Sequence, residues 1–193
     1  MADDTRSDDD LIKLCLDGDN DAFSVLVRRY INAIYNYSFR FGGIHVDHED
    51  IVQETFIKVW KNLPKYNLGR SFKNWIFSIA HNVTLDYLRK KSSLTFSEVN
   101  DLKGDLTDNN IEDNIVDPEP LADEIFENKD GQRRLSEEIK SLRPIFREVL
   151  FLHYDQGLTF SEIAEILKIS LNTAKSHHFR AINILHKKLS APK

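Results

Sequence analysis

The run LTFSEIAEILKISLNTAK, from Leu158 to Lys175, reads as two short helices joined by a tight connector. Thr159 and Glu162 have the spacing of a capping box, in which each side chain satisfies an orphan backbone N–H of the other, so a helix starts there. Ile163, Ile166 and Leu167 give it one apolar stripe, and Ala164 allows a second helix to approach closely. Lys168-Ile169 forms the connector, and Ser170 caps the next helix with Thr173 in its first turn. That second helix continues toward Leu189. The pattern is a helix-turn-helix, a motif that lays its second helix in a DNA major groove. Lys175, Ser176, His177 and Arg180 are expected on its exposed side, where such groups reach phosphates and base edges. An ordinary helical hairpin with a basic, solvated face is the competing reading of this segment alone.

The net charge of −5 runs against a nucleic-acid binder until it is divided along the chain. Residues 93–132 hold 12 acidic and 2 basic side chains, whereas 133–193 hold 11 basic and 6 acidic. Residues 11–92 hold 12 basic and 8 acidic. Two mildly basic blocks therefore flank an acidic one, and the asymmetry says more than the total. Asp101 to Pro120 has few large apolar residues and no helical period, so 93–132 is expected to be a flexible acidic linker. Leu121, Ile125 and Phe126 are positioned to begin the first helix of the C-terminal block. A chain of about 40 residues has a root-mean-square span of about 35 Å, enough for two domains to grip separate places on one large partner.

The N-terminal block reads as helical throughout. A short amphipathic helix from Asp10 to Leu16 stops at Asp17-Gly18-Asp19. A second begins at Asp21 and ends at Gly42-Gly43, with Phe23, Leu26, Val27, Tyr30, Ile31, Ile34, Tyr35 and Phe39 along one side. A third runs from Asp50 to Leu63 before Pro64, with Val52, Phe56, Val59 and Leu63 at core spacing. Ile57 lies on its polar face among Asp50, Gln53, Glu54, Lys58 and Lys61, and an apolar residue there suggests a partner surface. The fourth, Phe72 to Lys91, is expected to bury Phe72, Trp75, Ile76, Ile79, Val83 and Leu88 and to expose Lys73, Asn74, His81, Asn82, Asp86, Arg89 and Lys90. Basic groups, amides and the aromatics Phe77 and Tyr87 on one helix suit a platform for single-stranded nucleic acid.

The acidic N-terminus is the opposite of a signal peptide, and no apolar run approaches a membrane span, so a cytoplasmic protein is expected. A single cysteine, Cys15, excludes a disulfide framework and a cysteine-rich zinc site. His45, His48, Glu49 and Asp50 form only a weak metal pattern, and no phosphate-binding glycine loop or nucleophile motif occurs. No catalysis, metal or cofactor is expected.

Asp50-Ile51-Val52-Gln53-Glu54-Thr55-Phe56-Ile57-Lys58-Val59-Trp60, followed by Phe72-Lys73-Asn74-Trp75-Ile76-Phe77-Ser78-Ile79-Ala80-His81-Asn82, resembles the signature of sigma factors of bacterial RNA polymerase. The chain is most similar to the extracytoplasmic-function (ECF) group, whose members keep two domains, sigma2 and sigma4. The resemblance implies an all-α protein: a sigma2-like domain over 10–92, the acidic linker over 93–132, and a sigma4-like helix-turn-helix domain over 133–193. It implies that Asp50, Gln53, Glu54, Ile57, Trp60 and Lys61 dock on the polymerase, with Trp60 divided between interface and core. Arg70, Lys73, Asn74, His81, Asn82, Asp86 and Arg89, with the loop 67–71, would read the melted −10 promoter element. Asn172, Thr173, Lys175, Ser176, His177, Phe179 and Arg180 would meet the −35 element. The implied partners are core RNA polymerase, promoter DNA and an anti-sigma factor able to hold the protein at the membrane. Where the family often places an arginine, His177 changes charge and reach, so an atypical −35 preference is expected. A free-standing helix-turn-helix regulator is the alternative, but it would not need the second helical block.

Overall fold

The computed structural model describes residues 5–42, 46–91 and 129–190, and every described regular element is helical. The described residues fall into two compact units, one on each side of about residue 93. The segment 121–126, expected to open the C-terminal block, lies outside the described residues, as does most of the expected linker.

Four helices build the N-terminal unit: α1 (Asp8–Leu16), α2 (Asn20–Gly42), α3 (His48–Asn62) and α4 (Phe72–Lys91). Ser7 starts α1 by accepting from the Asp10 N–H, and Asp47 starts α3 by accepting from Glu49 and Asp50. α3 therefore begins two residues before its expected start, because Asp47 supplies a better cap than the polar residues after it. It ends at Asn62, and Pro64 then opens a single 3₁₀ turn, Leu63–Lys65. α2 packs on each of the other three helices, and α3 packs on α4. Leu11, Ile12, Leu26, Ile34, Tyr37, Ile51 and Phe77 fill the space between them. Each such side chain contributes about 1.5–3 kcal/mol by leaving water. The buried hydroxyls of Thr55 and Thr84 donate to the Ile51 and Ala80 carbonyls of their own helices, so neither is a desolvation cost.

In the C-terminal unit, α5 (Lys129–Ser141) starts inside the stretch expected to be linker. α6 (Pro144–Leu150) runs into one π-helical turn, Phe151–Asp155, then come α7 (Phe160–Leu167) and α8 (Leu171–Leu189). α8 packs on α5, α6 and α7. The capping box of Thr159 and Glu162 forms as the sequence requires, and Ser170 accepts from the Thr173 N–H to start α8. Between α7 and α8 the chain turns through Lys168 at φ 57°, a left-handed conformation that glycine usually fills. Arg134 donates to the Lys188 carbonyl and Lys188 pairs with Glu138 at 2.9 Å, tying α5 to the end of α8.

Candidate polymerase and nucleic-acid interfaces

The apolar residues of α2 divide into two stripes, not the one expected. Leu26, Tyr30 and Ile34 face the core, while Phe23, Val27, Ile31 and Tyr35 turn outward. With Val52, Phe56, Ile57 and Trp60 of α3, the outward stripe lines a groove of about 780 Å³. Ile57 is 39% and Trp60 43% exposed, and the Trp60 ring stands edge-on to Phe23 with centroids 4.7 Å apart. Trp60 thus belongs to the groove and not to the core. Gln53 and Lys61 sit at its edge, Asp50 is exposed, and Glu54 is half-buried. An apolar centre with a polar rim is the composition of a protein interface. Lys58 lies 3.8 Å from both Glu54 and Asp86, linking α3 to α4 through exposed pairs that contribute little to stability.

A second surface begins at the connection into α4. Arg70 N–H donates to the Asn67 carbonyl at 3.2 Å, and Gly69 sits at φ +91°, which makes 67–70 a type II turn. Glycine is there for its backbone, since a Cβ would meet nothing within 4 Å. Ser71 then accepts from the Asn74 N–H and caps α4. Arg70 and Arg89 are exposed, and Lys73, Asn74, Asn82 and Asp86 are half-buried on the same helix. The Asn82 amide donates to the Ser78 carbonyl at 2.6 Å, and Asp86 lies 3.7 Å from Arg89. Trp75 is only half-buried, against Tyr66 at 5.0 Å.

His81 departs from its expected place. It is 5% exposed, stacked on Phe41 with centroids 5.6 Å apart, and its Nδ1 lies 3.4 Å from the Tyr37 hydroxyl. Phe77 is likewise fully buried against Tyr37, so it offers no ring for base stacking. The cause is common to both. α4 is covered by α2 and by α3, so its buried arc is wider than the single stripe that periodicity suggested and takes in Phe77, Ala80, His81 and Thr84.

α8 forms the third surface. Asn172 and Lys175 are exposed, and Thr173, Ser176, Phe179 and Arg180 are half-buried. His177 is again a correction: it is 6% exposed and packs on Phe146 with centroids 5.6 Å apart. It shares the inward stripe with Ala174 and Ala181, at the three- and four-residue spacing that puts side chains on one face. Neither ring nitrogen has a hydrogen-bond partner among the described residues. Burial, with the nearby Arg180 and Arg143 charges, lowers its pKa from the ordinary 6.5 to about 4, so the ring is neutral at physiological pH.

Sequence reasoning missed two features. One is the outward stripe on α2, signalled only by an apolar set too broad for one face. The other is exposed Tyr154, whose hydroxyl lies 3.0 Å from His178 Nε2 beside His153 and Phe160; the π turn breaks the period that would have placed it there. Among the described residues, no group of three or more His, Cys, Asp or Glu side chains is placed to hold a metal, and no helix is long and apolar enough to cross a membrane.

A helical unit with an unpartnered apolar groove, followed by a helix-turn-helix unit, defines a DNA-binding protein with a second protein-binding module. Residues 26–94 match the family model of sigma-70 region 2, and residues 132–185 match that of sigma-70 region 4. The chain is 33% identical to the ECF RNA polymerase sigma factor SigW of Bacillus subtilis, over 92% of its own length and 94% of that protein. It is 26% identical to the ECF RNA polymerase sigma-E factor of Haemophilus influenzae, over 95% of each. Its fold is similar to that of CnrH in complex with the cytosolic domain of CnrY, with a TM-score of 0.63, 24% identity and coverage of 96% and 99% of the two chains. The sigma factor RpoE in complex with the anti-sigma factor NepR from Bartonella quintana is a similar fold at TM-score 0.62 and 24% identity, over 89% and 98%. The chain belongs to the ECF sigma factors of the sigma-70 family.

Proposed function

We propose that this sigma factor binds core RNA polymerase through the α2–α3 groove and reads its promoter with two separate surfaces. The observation that carries the reading is the groove itself: Ile31, Tyr35, Ile57 and Trp60 stay exposed together, in a unit that matches sigma-70 region 2. An apolar patch of this kind is covered in the working state. Asp50, Gln53, Glu54 and Lys61 supply its polar rim. The 67–71 turn and the outer face of α4 (Arg70, Lys73, Asn74, Asn82, Asp86, Arg89) read the melted −10 strand, where an unstacked base is recognised on its edge. Asn172, Thr173, Lys175, Ser176, Phe179 and Arg180 of α8 read the −35 duplex, where the Arg180 guanidinium pairs with a guanine. His81 and His177 support these surfaces from beneath. No covalent chemistry is asked of the protein.

We infer also that an inhibitor competes for the groove; similar folds have been solved in complex with an anti-sigma factor or with the cytosolic domain of CnrY. An inhibitor fixed in the membrane would hold this protein there. Ile57→Asp with Trp60→Asp should lower affinity for core polymerase by at least about tenfold, as loss of central apolar anchors does. Helical circular dichroism should not change, because both side chains lie at the surface of α3 and outside the core. Unchanged capture of core enzyme would remove the groove from the account.

A further inference from the structure

The acidic first turn of α1 lies outside the groove and outside both DNA-facing helices, yet it reaches far along the chain. Asp8 binds Arg29 and the Tyr30 hydroxyl of α2, and Leu11, Ile12 and Cys15 are buried beneath, so the turn is fixed in place. Its neighbour Asp9 accepts a hydrogen bond from the Gly69 N–H at 3.2 Å, across 60 residues of sequence. That N–H belongs to the peptide between Leu68 and Gly69, the central peptide of the 67–70 turn. Types I and II of such a turn differ mainly by a flip of this peptide. A glycine at the third position permits either form, so the residue itself does not choose. The turn is exposed, and space around Gly69 is open, so packing chooses little. The Tyr66 hydroxyl, which donates to the Arg70 carbonyl and also interacts with Asp9, closes the turn without bonding its central peptide.

We propose that Asp9 is a positioning residue for promoter reading, locking the Leu68–Gly69 peptide in the type II orientation that shapes the −10 base site. The peptide is trans, so fixing its N–H toward α1 aims the Leu68 carbonyl away from α1. There it offers an acceptor to the amino edge of an unstacked base, beside the Leu68 side chain, which is 41% exposed. The proposal rests on the reading of 67–71 as part of the −10 surface.

The test uses the full chain assembled with core polymerase and single-stranded non-template −10 oligonucleotides carrying each base in turn. Asp9→Ala should reduce discrimination between the best and worst base at one position by about 3- to 10-fold, the factor set by one hydrogen bond. Asp9→Asn should keep discrimination, because its amide oxygen still accepts from Gly69. Both variants keep the Ser7 cap and the Asp8 contacts, so their melting temperatures and core affinity should match the parent's. Wild-type discrimination in Asp9→Ala overturns the proposal, as does equal loss in Asp9→Ala and Asp9→Asn, which would assign the effect to charge. Gly69→Val, strained at positive φ, separates the layers. If it loses discrimination while Asp9→Ala does not, only the anchor is wrong. If Gly69→Val discriminates normally, the −10 assignment of the turn fails and the anchor falls with it.

Discussion

Acidification should loosen the helix-turn-helix unit through His177. The unfolded chain binds a proton at this residue with the ordinary pKa of 6.5, whereas the folded state resists protonation down to about 4. The unfolded state therefore holds more protons between those values, and stability falls as pH drops through that window. Complete protonation corresponds to about 3 kcal/mol. Most carboxylates are still ionised at about pH 5.5, so going there from about pH 7.5 titrates the histidines of the unit, and the part due to His177, read as the difference from His177→Leu, should cost about 1 kcal/mol. That smaller figure depends on the unfolded histidine and hardly on the depth of the folded shift, because pH 5.5 lies well above 4. The assay is amide hydrogen exchange along α8 in the full chain, corrected for intrinsic rates. His177→Leu should flatten the dependence and add about 1 kcal/mol at neutral pH, since it removes two buried nitrogens without partners. An equal loss in His177→Leu, or no loss in the parent, would show that the ring is not buried neutral against Phe146.

The joints of the same unit should respond in opposite directions. Lys168→Gly relieves a side chain held at φ 57° and should stabilise the unit by about 0.5–1 kcal/mol in urea denaturation followed by ellipticity. Thr159→Ala breaks the capping box and should cost about 1 kcal/mol in the same titration.

The helix-turn-helix was legible because its signals are local: a capping box, an N-cap and an apolar stripe all act within a few residues. The helices of the N-terminal unit were legible for the same reason. Burial on α4 was not, because it depends on how many neighbours cover the helix; His81 and Phe77 lie at spacings that one packed face would expose and two would not. His177 misled for another reason. A polar side chain within a basic helix reads as solvated, and only its register with Ala174 and Ala181 reveals that it points inward. Asp9 carried no local signal at all, since its partner Gly69 is distant in sequence and the bond exists only in the folded unit.

The division of promoter reading between α4 and α8 is tested most directly by comparing Asn82→Ala and Arg180→Ala holoenzymes on duplex and on pre-melted promoter DNA. Arg180→Ala should cost about 1–3 kcal/mol of duplex binding and relax preference at one −35 base pair. Asn82→Ala should form the closed complex normally but bind the pre-melted −10 strand weakly. Normal binding of that strand by Asn82→Ala, or an Arg180→Ala defect spread evenly over all −35 sequences, would contradict this division.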